Sequence, residues 1–206
     1  MVFLQELSEI LQAEDPEQRQ MITGVSWENY QVLLDNLGDN RQYRVTYLDG
    51  VIELVSPSRS HERYKTIIGS LLEAYFQENR IRYFPLGSTT FRKPVKKGGT
   101  EPDESYCIGT EKELPDLAIE IIVTSGGVDK LKVYQILGIK EIWFFKNNQF
   151  EVYILQGENY QQSLESELLP NLDVSMLAEY AIAPDPLQAV LAFRERVSMK
   201  SPGNKL

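Results

Sequence analysis

The feature that most constrains the fold is the apolar run DLAIEIIV at residues 116–123. Both alternating faces of this run are apolar, which is typical of a central strand covered by helices on both sides. Residues 129–137 then predict a helix that stops at Gly138, and EIWFF at residues 141–145 predicts a second buried strand. The order strand, helix, strand indicates a right-handed parallel crossover, and therefore an α/β domain.

Two hairpin signals add antiparallel strands to this unit. The first is Asp49-Gly50 within YRVTYLDGVIELV at residues 43–55, and the second is Asn147-Asn148 before FEVYIL at residues 150–155. Such pairs suit tight two-residue turns because they tolerate positive φ angles. The predicted sheet is therefore mixed.

The remaining elements follow from periodicity, caps and turn residues. The best-defined helix begins at Ser58 or Ser60 and continues through Asn79, with one apolar face. Further helices are predicted at 3–12, 26–37 (capped by Ser26), 174–180 and 186–197, together with an extended segment at 82–92 and a strand after 160. The segments predicted to lack regular structure are a linker at 13–20, an irregular loop VKKGGTEP at 95–102, a break at 124–127, a turn at Pro170-Asn171 and a frayed end SMKSPGNKL.

A chain of 206 residues is long enough for one sizeable domain and too short for two large ones. We therefore predict an N-terminal helical extension and linker at residues 1–25, one domain at residues 26–198, and a disordered tail at residues 199–206. No internal repeat suggests a solenoid.

Composition narrows the location and the chemistry. No apolar run approaches the roughly 18 to 20 residues of a membrane-spanning helix, and the acidic amino terminus lacks the features of a secretory signal, so we expect a soluble cytoplasmic protein. Cys107 is the only cysteine and His61 the only histidine. These exclude an internal disulfide, a soft-ligand zinc site and histidine-pair chemistry, so a metal must be held by oxygen. The sequence also contains no nucleophile elbow, P-loop or dinucleotide fingerprint.

Charge is unevenly distributed along the chain. The net charge of -9 argues against coating nucleic acid by bulk electrostatics, yet residues 41–97 hold eleven Lys or Arg against five Asp or Glu. This segment is either ordinary solvated surface or a local phosphate-binding face. Its basic residues include Arg59, Arg63, Lys65, Arg80, Arg82, Arg92, Lys93, Lys96 and Lys97.

Glu120 is the most informative single position. Strand alternation places it on one face with Ala118 and Ile122, where an unpaired carboxylate costs several kcal/mol. It therefore needs a cation or a strong partner, and a structural salt bridge is one alternative. Asp103 follows Pro102, and a strand pair can bring both carboxylates to one sheet end. Two such acids form a suitable half-site for a hard cation such as Mg²⁺, completed by water and substrate phosphate.

Three further polar residues are candidates for the same site. Lys130 begins the helix after Glu120, where its ammonium could orient a water molecule and offset phosphate charge; the alternative is an ordinary surface lysine. His61 and Glu62 open the earlier helix. Glu62 suits the positive end of the helix dipole, and we place this pair in a second tier.

Three segments together resemble the PD-(D/E)XK nuclease superfamily: DGVIELVSPSRSHE at residues 49–62, EPDESY at 101–106 and PDLAIEIIVTSGGVDKLKVYQILGIKEIWFF at 115–145. More narrowly, they are similar to a bacterial branch described as restriction endonucleases and formerly as a domain of unknown function. The resemblance extends from about Ser26 to Val197, and its specificity lies in the order of the elements.

This resemblance implies a restriction-endonuclease-like mixed central sheet flanked by helices. It also implies Mg²⁺, for which Mn²⁺ substitutes, on Asp103 and Glu120, hydrolysis of DNA phosphodiester bonds by activated water, and a homodimer. One departure matters: Ile122 stands where the signature lysine is expected. Lys130, four residues before Tyr134 as this branch requires, takes that role, with Lys132 in reserve.

Three hypotheses follow. The first is a Mg²⁺-dependent DNA endonuclease with Asp103, Glu120 and Lys130 at its reaction centre. The second is a catalytically idle member of the fold that binds nucleic acid or protein. The third is a structural α/β domain with an oligomerising surface. The presence of both acids and a usable lysine favours the first.

Overall fold

The computed structural model describes residues 17–38, 43–123 and 127–200, the side chain of Lys200 excepted. The strands there are β1 Gln18–Thr23, β2 Arg44–Leu48, β3 Val51–Ser56, β4 Tyr83–Pro85, β5 Phe91–Lys93, β6 Gly98–Thr100, β7 Glu104–Ile108, β8 Leu117–Ile122, β9 Glu141–Lys146, β10 Gln149–Gln156 and β11 Asn159–Ser163. The helices are α1 Trp27–Leu37, α2 Arg59–Glu78, α3 Lys130–Leu137, α4 Val174–Ala181 and α5 Pro186–Lys200, with a 3₁₀ turn at Pro94–Lys96.

The strands form two sheets. The first has the order β1-β3-β2-β6-β5 and is antiparallel; the second has the order β11-β10-β9-β8-β7-β4. In the second sheet β8 and β9 are parallel, joined through α3, while the other neighbours are antiparallel. This arrangement confirms the predicted α/β class and the predicted mixed sheet.

Alternation along β8 divides the core between two sides of the second sheet. Leu117, Ile119 and Ile121 face a large apolar cluster with α2, α4 and α5. Ala118 and its neighbours on the other face pack against α3 together with Leu48 and Phe91 of the first sheet. Helix α3 therefore lies between the two sheets, and its first turn lies where they meet.

Two glycines in β6 allow α3 and α1 to approach the first sheet closely. A Cβ on Gly98 would lie 2.5 Å from Cγ2 of Ile136, and a Cβ on Gly99 would lie 2.5 Å from the Tyr30 hydroxyl. Because real Cβ atoms do not come this close, the packing of both helices requires glycine here. The next residue of the strand, Thr100, is thereby fixed beside α3.

Most predicted elements are confirmed. Ser26 and Ser58 cap α1 and α2, Asp49-Gly50 joins β2 to β3, and Gly138 ends α3 in the left-handed region. Asn147 and Asn148 both have positive φ and join β9 to β10. The strand after residue 160, the turn at Pro170-Asn171 and the last two helices are also present.

Four predictions need correction, and three others lie outside the described residues. Residues 18–20 of the expected linker belong to β1, and the VKKGGTEP loop contains the 3₁₀ turn and β6. The extended segment at 82–92 is two short strands with a turn between them. Helix α5 continues to Lys200, so residues 198–200 are helical rather than frayed. The helix predicted at 3–12, the break at 124–126 and the tail at 201–206 lie outside the described residues.

A search of the described residues finds no helix that is both long and apolar enough to cross a membrane.

The close approach at Gly99 generates a stability prediction. Gly99→Ala should lower the free energy of unfolding by about 1 to 3 kcal/mol, because the new methyl group overpacks against the Tyr30 hydroxyl. Tyr30→Phe should be neutral or stabilising, since that buried hydroxyl has no hydrogen-bond partner among the described residues. The double variant should recover part of the loss in urea denaturation. Equal losses with and without Tyr30→Phe would contradict this packing account.

Candidate active site

Glu120 lies in the middle of the second sheet and is only 4% exposed. Its carboxylate faces α3, where Nζ of Lys130 donates to Oε1 at 3.1 Å and the Tyr134 hydroxyl donates to the same oxygen. Lys130 and Tyr134 are four residues apart, so one face of α3 presents both donors. The strong partner that the sequence requires is therefore supplied by α3.

The charges of this buried pair depend on one another. Burial raises the pKa of Glu120, and the charge of Asp103 raises it further, while Lys130 lowers it in part. Burial would lower the pKa of Lys130, but the charges of Glu120, Glu53 and Asp103 outweigh burial and raise it. Lys130 is therefore an ammonium at neutral pH, and it donates hydrogen bonds rather than accepting protons.

Lys130 is held from the first sheet as well. Its Nζ also donates to Oγ1 of Thr100 at 3.2 Å, and that hydroxyl is 2.8 Å from Oγ1 of Thr46 in β2. The two contacts fix the ammonium between β6 and β8. The position of Lys130 thus depends on both sheets.

Asp103 lies immediately before β7 and is held against β8. Its backbone N–H donates to the carbonyl of Ile119 at 3.1 Å, and its Oδ2 accepts from the N–H of Ile121 at 2.8 Å. These two residues flank Glu120 in the strand. The two acids singled out in the sequence are therefore brought together, although seventeen residues separate them.

His61, at the start of α2, connects two buried carboxylates. Nε2 is 2.8 Å from Oδ1 of Asp103, and Nδ1 is 2.7 Å from Oε2 of Glu17. Burial alone would lower the pKa of the imidazole, but the hydrogen bonds and charges of Asp103 and Glu17 outweigh it and raise the pKa to about 9. At neutral pH His61 is an imidazolium that donates from both ring nitrogens.

A second ion pair from the first sheet lies at the same place. Glu53 of β3 is 1% exposed, and its Oε1 is 3.0 Å from Nη1 of Arg19 in β1. Nη2 of Arg19 also reaches Oε1 of Glu17 at 3.3 Å. Gly127 covers this pair: its φ is 122°, and a Cβ there would lie 2.0 Å from Oε1 of Glu53. Only glycine fits at this position.

Arg44 is buried beside Asp103 and connects it to Glu62 at the rim of the site. Nε of Arg44 is 3.8 Å from Oδ1 of Asp103, and its Nη2 is 3.4 Å from Oε1 of Glu62. The Glu62 side chain is 45% exposed and also pairs with Lys65 at 3.6 Å. Among the contacts of the described residues, Glu62 therefore reaches Asp103 through Arg44.

The buried part of the site balances its charges. Among the described residues, four carboxylates there pair with four cationic groups, because His61 is protonated: Glu17, Glu53, Asp103 and Glu120 against Arg19, Arg44, His61 and Lys130. Pairing of this kind is what allows charged groups to be buried.

The donor set permits a divalent cation, with few protein ligands. Among the described residues no group of three or more His, Cys, Asp or Glu side chains is placed to hold a metal. Both contacts from α3 to Glu120 use Oε1, and the next residue of the strand, Ile121, donates its backbone N–H to Asp103, so the two carboxylates lie on neighbouring positions. Two carboxylates suit Mg²⁺, which keeps several waters. The residues present therefore fit a Mg²⁺ ion completed by solvent and phosphate.

The sequence identified the centre of the site and missed its surroundings. The structure brings Asp103, Glu120, Lys130 and His61 together, whereas the side chain of Lys132 is exposed. Glu53 could have been found by the argument used for Glu120, since it is a carboxylate in the apolar strand VIELV. Glu17 and Arg19 lie in a uniformly polar segment that gives no such signal.

Comparison with known proteins identifies one family. The model of the Uma2 family, whose description is "Putative restriction endonuclease", matches residues 27–184. The matched region includes Asp103, Glu120, Lys130 and His61, and it excludes β1. A search of curated proteins finds no match.

The raised pKa of His61 generates a prediction of stability against pH. In the unfolded chain the imidazole titrates near 6.5, and in the folded protein near 9. The stabilisation from its two ion pairs is therefore complete below pH 6.5 and is lost as the pH rises through 9. Between those values, the advantage of the metal-free wild type over His61→Gln in urea denaturation should shrink by roughly 2 to 3 kcal/mol.

The control is Glu62→Gln, which should keep the pH profile of the wild type because Glu62 lies at the exposed rim. Since His61 is the only histidine, its imidazole signals in NMR spectra give its pKa directly. A measured pKa at or below 6.5 would show that the bridge between Glu17 and Asp103 is absent in solution.

Proposed function

This chain belongs to the Uma2 family, whose description is "Putative restriction endonuclease", and we propose that it is a Mg²⁺-dependent endonuclease that hydrolyses DNA phosphodiester bonds. The observation that supports this most directly is the buried cluster of Asp103, Glu120 and Lys130 at the first turn of α3. Buried charges that are held this close together and lie at the junction of two sheets are typical of a reaction centre.

Asp103 and Glu120 are the residues that would hold the metal. When bound, Mg²⁺ polarises a phosphoryl oxygen and makes a water molecule a better nucleophile. The protein's contribution is to orient the carboxylates, and the hydrogen bonds to Asp103 from His61 and from the backbone of Ile121 do this for one of them. Tyr134 and Lys130 orient the carboxylate of Glu120 by donating hydrogen bonds to it.

Lys130 acts through its positive charge. The charges of Glu120, Glu53 and Asp103 raise the pKa of Lys130 in the metal-free protein and so favour its ammonium form. It can donate to a water molecule or to a phosphate oxygen while Thr100 holds it in place at 3.2 Å. Its role is therefore to orient the attacking group and to stabilise negative charge that develops on the phosphate.

A basic hairpin next to the site could hold the substrate backbone. We define it as residues 92–97, which join β5 to β6 and carry Arg92, Lys93, Lys96 and Lys97. Lys96 and Lys97 are exposed, and Val95 at the tip is 94% exposed. Strand β6 links this hairpin to Thr100, so its tip lies within about 17 Å of the reaction centre at 3.3 Å per residue. Contacts with flanking phosphates suit this spacing.

The alternative function is a catalytically idle module of the same fold. In that case the ion pair between Lys130 and Glu120 serves only to stabilise the fold. Pairing of two subunits, which the resemblance implies for cutting both strands, stays a prediction that sedimentation analysis can check.

The central test is metal-dependent cleavage of plasmid DNA. Purified wild-type protein with Mg²⁺ or Mn²⁺ should nick supercoiled plasmid, and Glu120→Gln and Asp103→Asn should lower the rate roughly 100-fold or more, because each removes a metal-binding charge. Electrophoresis of the plasmid forms gives the rates. Calorimetric titration with Mn²⁺ should show binding by the wild type and no binding by Glu120→Gln or Asp103→Asn.

The matched control is Glu113→Gln, which removes an exposed carboxylate that is not part of the buried ion-pair network and should leave cleavage unchanged. Equal background cutting by wild type and Glu120→Gln with every divalent metal, together with no Mn²⁺ binding, would support the idle module instead.

The proposed contact between the basic hairpin and DNA phosphates can be tested separately. The double variant Lys96→Glu and Lys97→Glu should raise KM for duplex DNA several-fold and weaken the dependence of binding on salt, because it removes two phosphate contacts. Since neither lysine touches Glu120, kcat should stay within about twofold. The pair Arg80→Glu and Arg82→Glu, after α2, is the control. If both pairs have the same effect, the hairpin has no special role.

A further inference from the structure

Strand β1 lies outside the part of the chain that matches the family, yet two residues at its start reach the reaction centre. The match begins at residue 27, whereas β1 comprises Gln18–Thr23 and forms the edge of the first sheet beside β3. Glu17, immediately before β1, and Arg19, within it, extend into the buried ion-pair network. The strand is mostly exposed otherwise, so its own packing does not explain these buried contacts.

Glu17 completes the support of Asp103. His61 can donate from both nitrogens only while it carries both protons, and the carboxylate of Glu17 at 2.7 Å favours this state. The imidazolium then directs Nε2 to Oδ1 of Asp103. Glu17, the residue before β1, thus acts on Asp103 through the side chain of His61.

Arg19 acts on the lysine in a comparable way. Glu53 lies opposite Thr46 in the sheet, Thr46 contacts Thr100, and Thr100 contacts Lys130. Glu53 therefore competes with Glu120 for the same ammonium, and its charge is among those that raise the pKa of Lys130. Arg19, whose Nη1 is 3.0 Å from Oε1 of Glu53, places a positive charge against this competing carboxylate. Lys130, whose ammonium lies within range of the charge of Glu53, is a cation that could move to neutralise it if Arg19 were removed.

We infer that β1 is a working part of the reaction centre and that Arg19 is a positioning residue, which neutralises Glu53 so that Lys130 stays on Glu120. This inference rests on the proposed nuclease function for its kinetic consequence, but its structural consequence is independent of activity. It also assigns Gly127 a purpose: the absence of a side chain there leaves room for the pair of Arg19 and Glu53.

The test compares single and double variants of Arg19 and Glu53. Arg19→Ala should lower kcat for plasmid cleavage about 10-fold or more with KM within about twofold, because the amine of Lys130 leaves Glu120 while substrate contacts persist. Arg19→Ala combined with Glu53→Gln should restore kcat to within about threefold of the wild type, since no competing charge remains. Arg19→Lys should retain most activity. A purely structural role for Arg19 predicts no such rescue.

Crystal structures of the variants provide the readout that does not need activity. In Arg19→Ala, Nζ of Lys130 should lie on Glu53 instead of on Oε1 of Glu120, and in the double variant it should return. Arg194→Ala, which removes the distant ion pair with Glu78 at 2.9 Å, is the control and should leave Lys130 in place. Arg19→Gln replaces the alanine variant if that protein does not fold.

The two proposals fail in different ways. If the wild type cuts no DNA with any metal, the nuclease function is wrong, and the position of Lys130 in the crystals still decides the role of Arg19. If the wild type is active but Arg19→Ala keeps both the wild-type kcat and the contact between Lys130 and Glu120, the role of Arg19 is overturned while the nuclease function stands.

Discussion

The ion pair between Lys130 and Glu120 is the interaction on which the rest of the site depends. A carboxylate in the middle of a six-stranded sheet cannot be solvated by water, so its charge must be met by a cation held at close range. Lys130 meets this requirement only because α3 begins where the two sheets join. The glycines of β6 bring Thr100 close enough to hold the amine. The fold is thus arranged around one buried charge.

The same constraint extends outward through the network. Asp103 lies beside Glu120 and would repel it, and His61 offsets this repulsion by sharing its positive charge with Asp103 and Glu17. Glu53 would draw Lys130 away, and Arg19 offsets that attraction. Each carboxylate is paired with a cationic side chain from a different element. These ion pairs connect β1, β3, α2, β8 and α3. Networks of this kind impose a specific geometry more than they add net stability.

Prediction from sequence succeeded where local chemistry and pattern agree. The apolar runs around Glu120 and Trp143 gave the central parallel strands, and the caps at Ser26 and Ser58 gave the starts of two helices. It failed at β6, because two adjacent glycines usually indicate a loop; here they are needed for close packing against Ile136 and Tyr30. It failed at β1, because an exposed edge strand such as QRQMIT has no hydrophobic alternation to reveal it.

The sequence by itself determined that Glu120 is buried and must be neutralised, since a carboxylate within an apolar strand permits no other stable state. It also placed Asp103 and Lys130 on elements that adjoin that strand. Only the tertiary structure decided which cations serve which acids: Lys130 rather than Lys132 for Glu120, His61 for Asp103 and Arg19 for Glu53. The physical reason is that electrostatic pairing depends on distances of a few ångströms between segments far apart in the chain. Those distances are fixed only when both sheets and α3 have packed together.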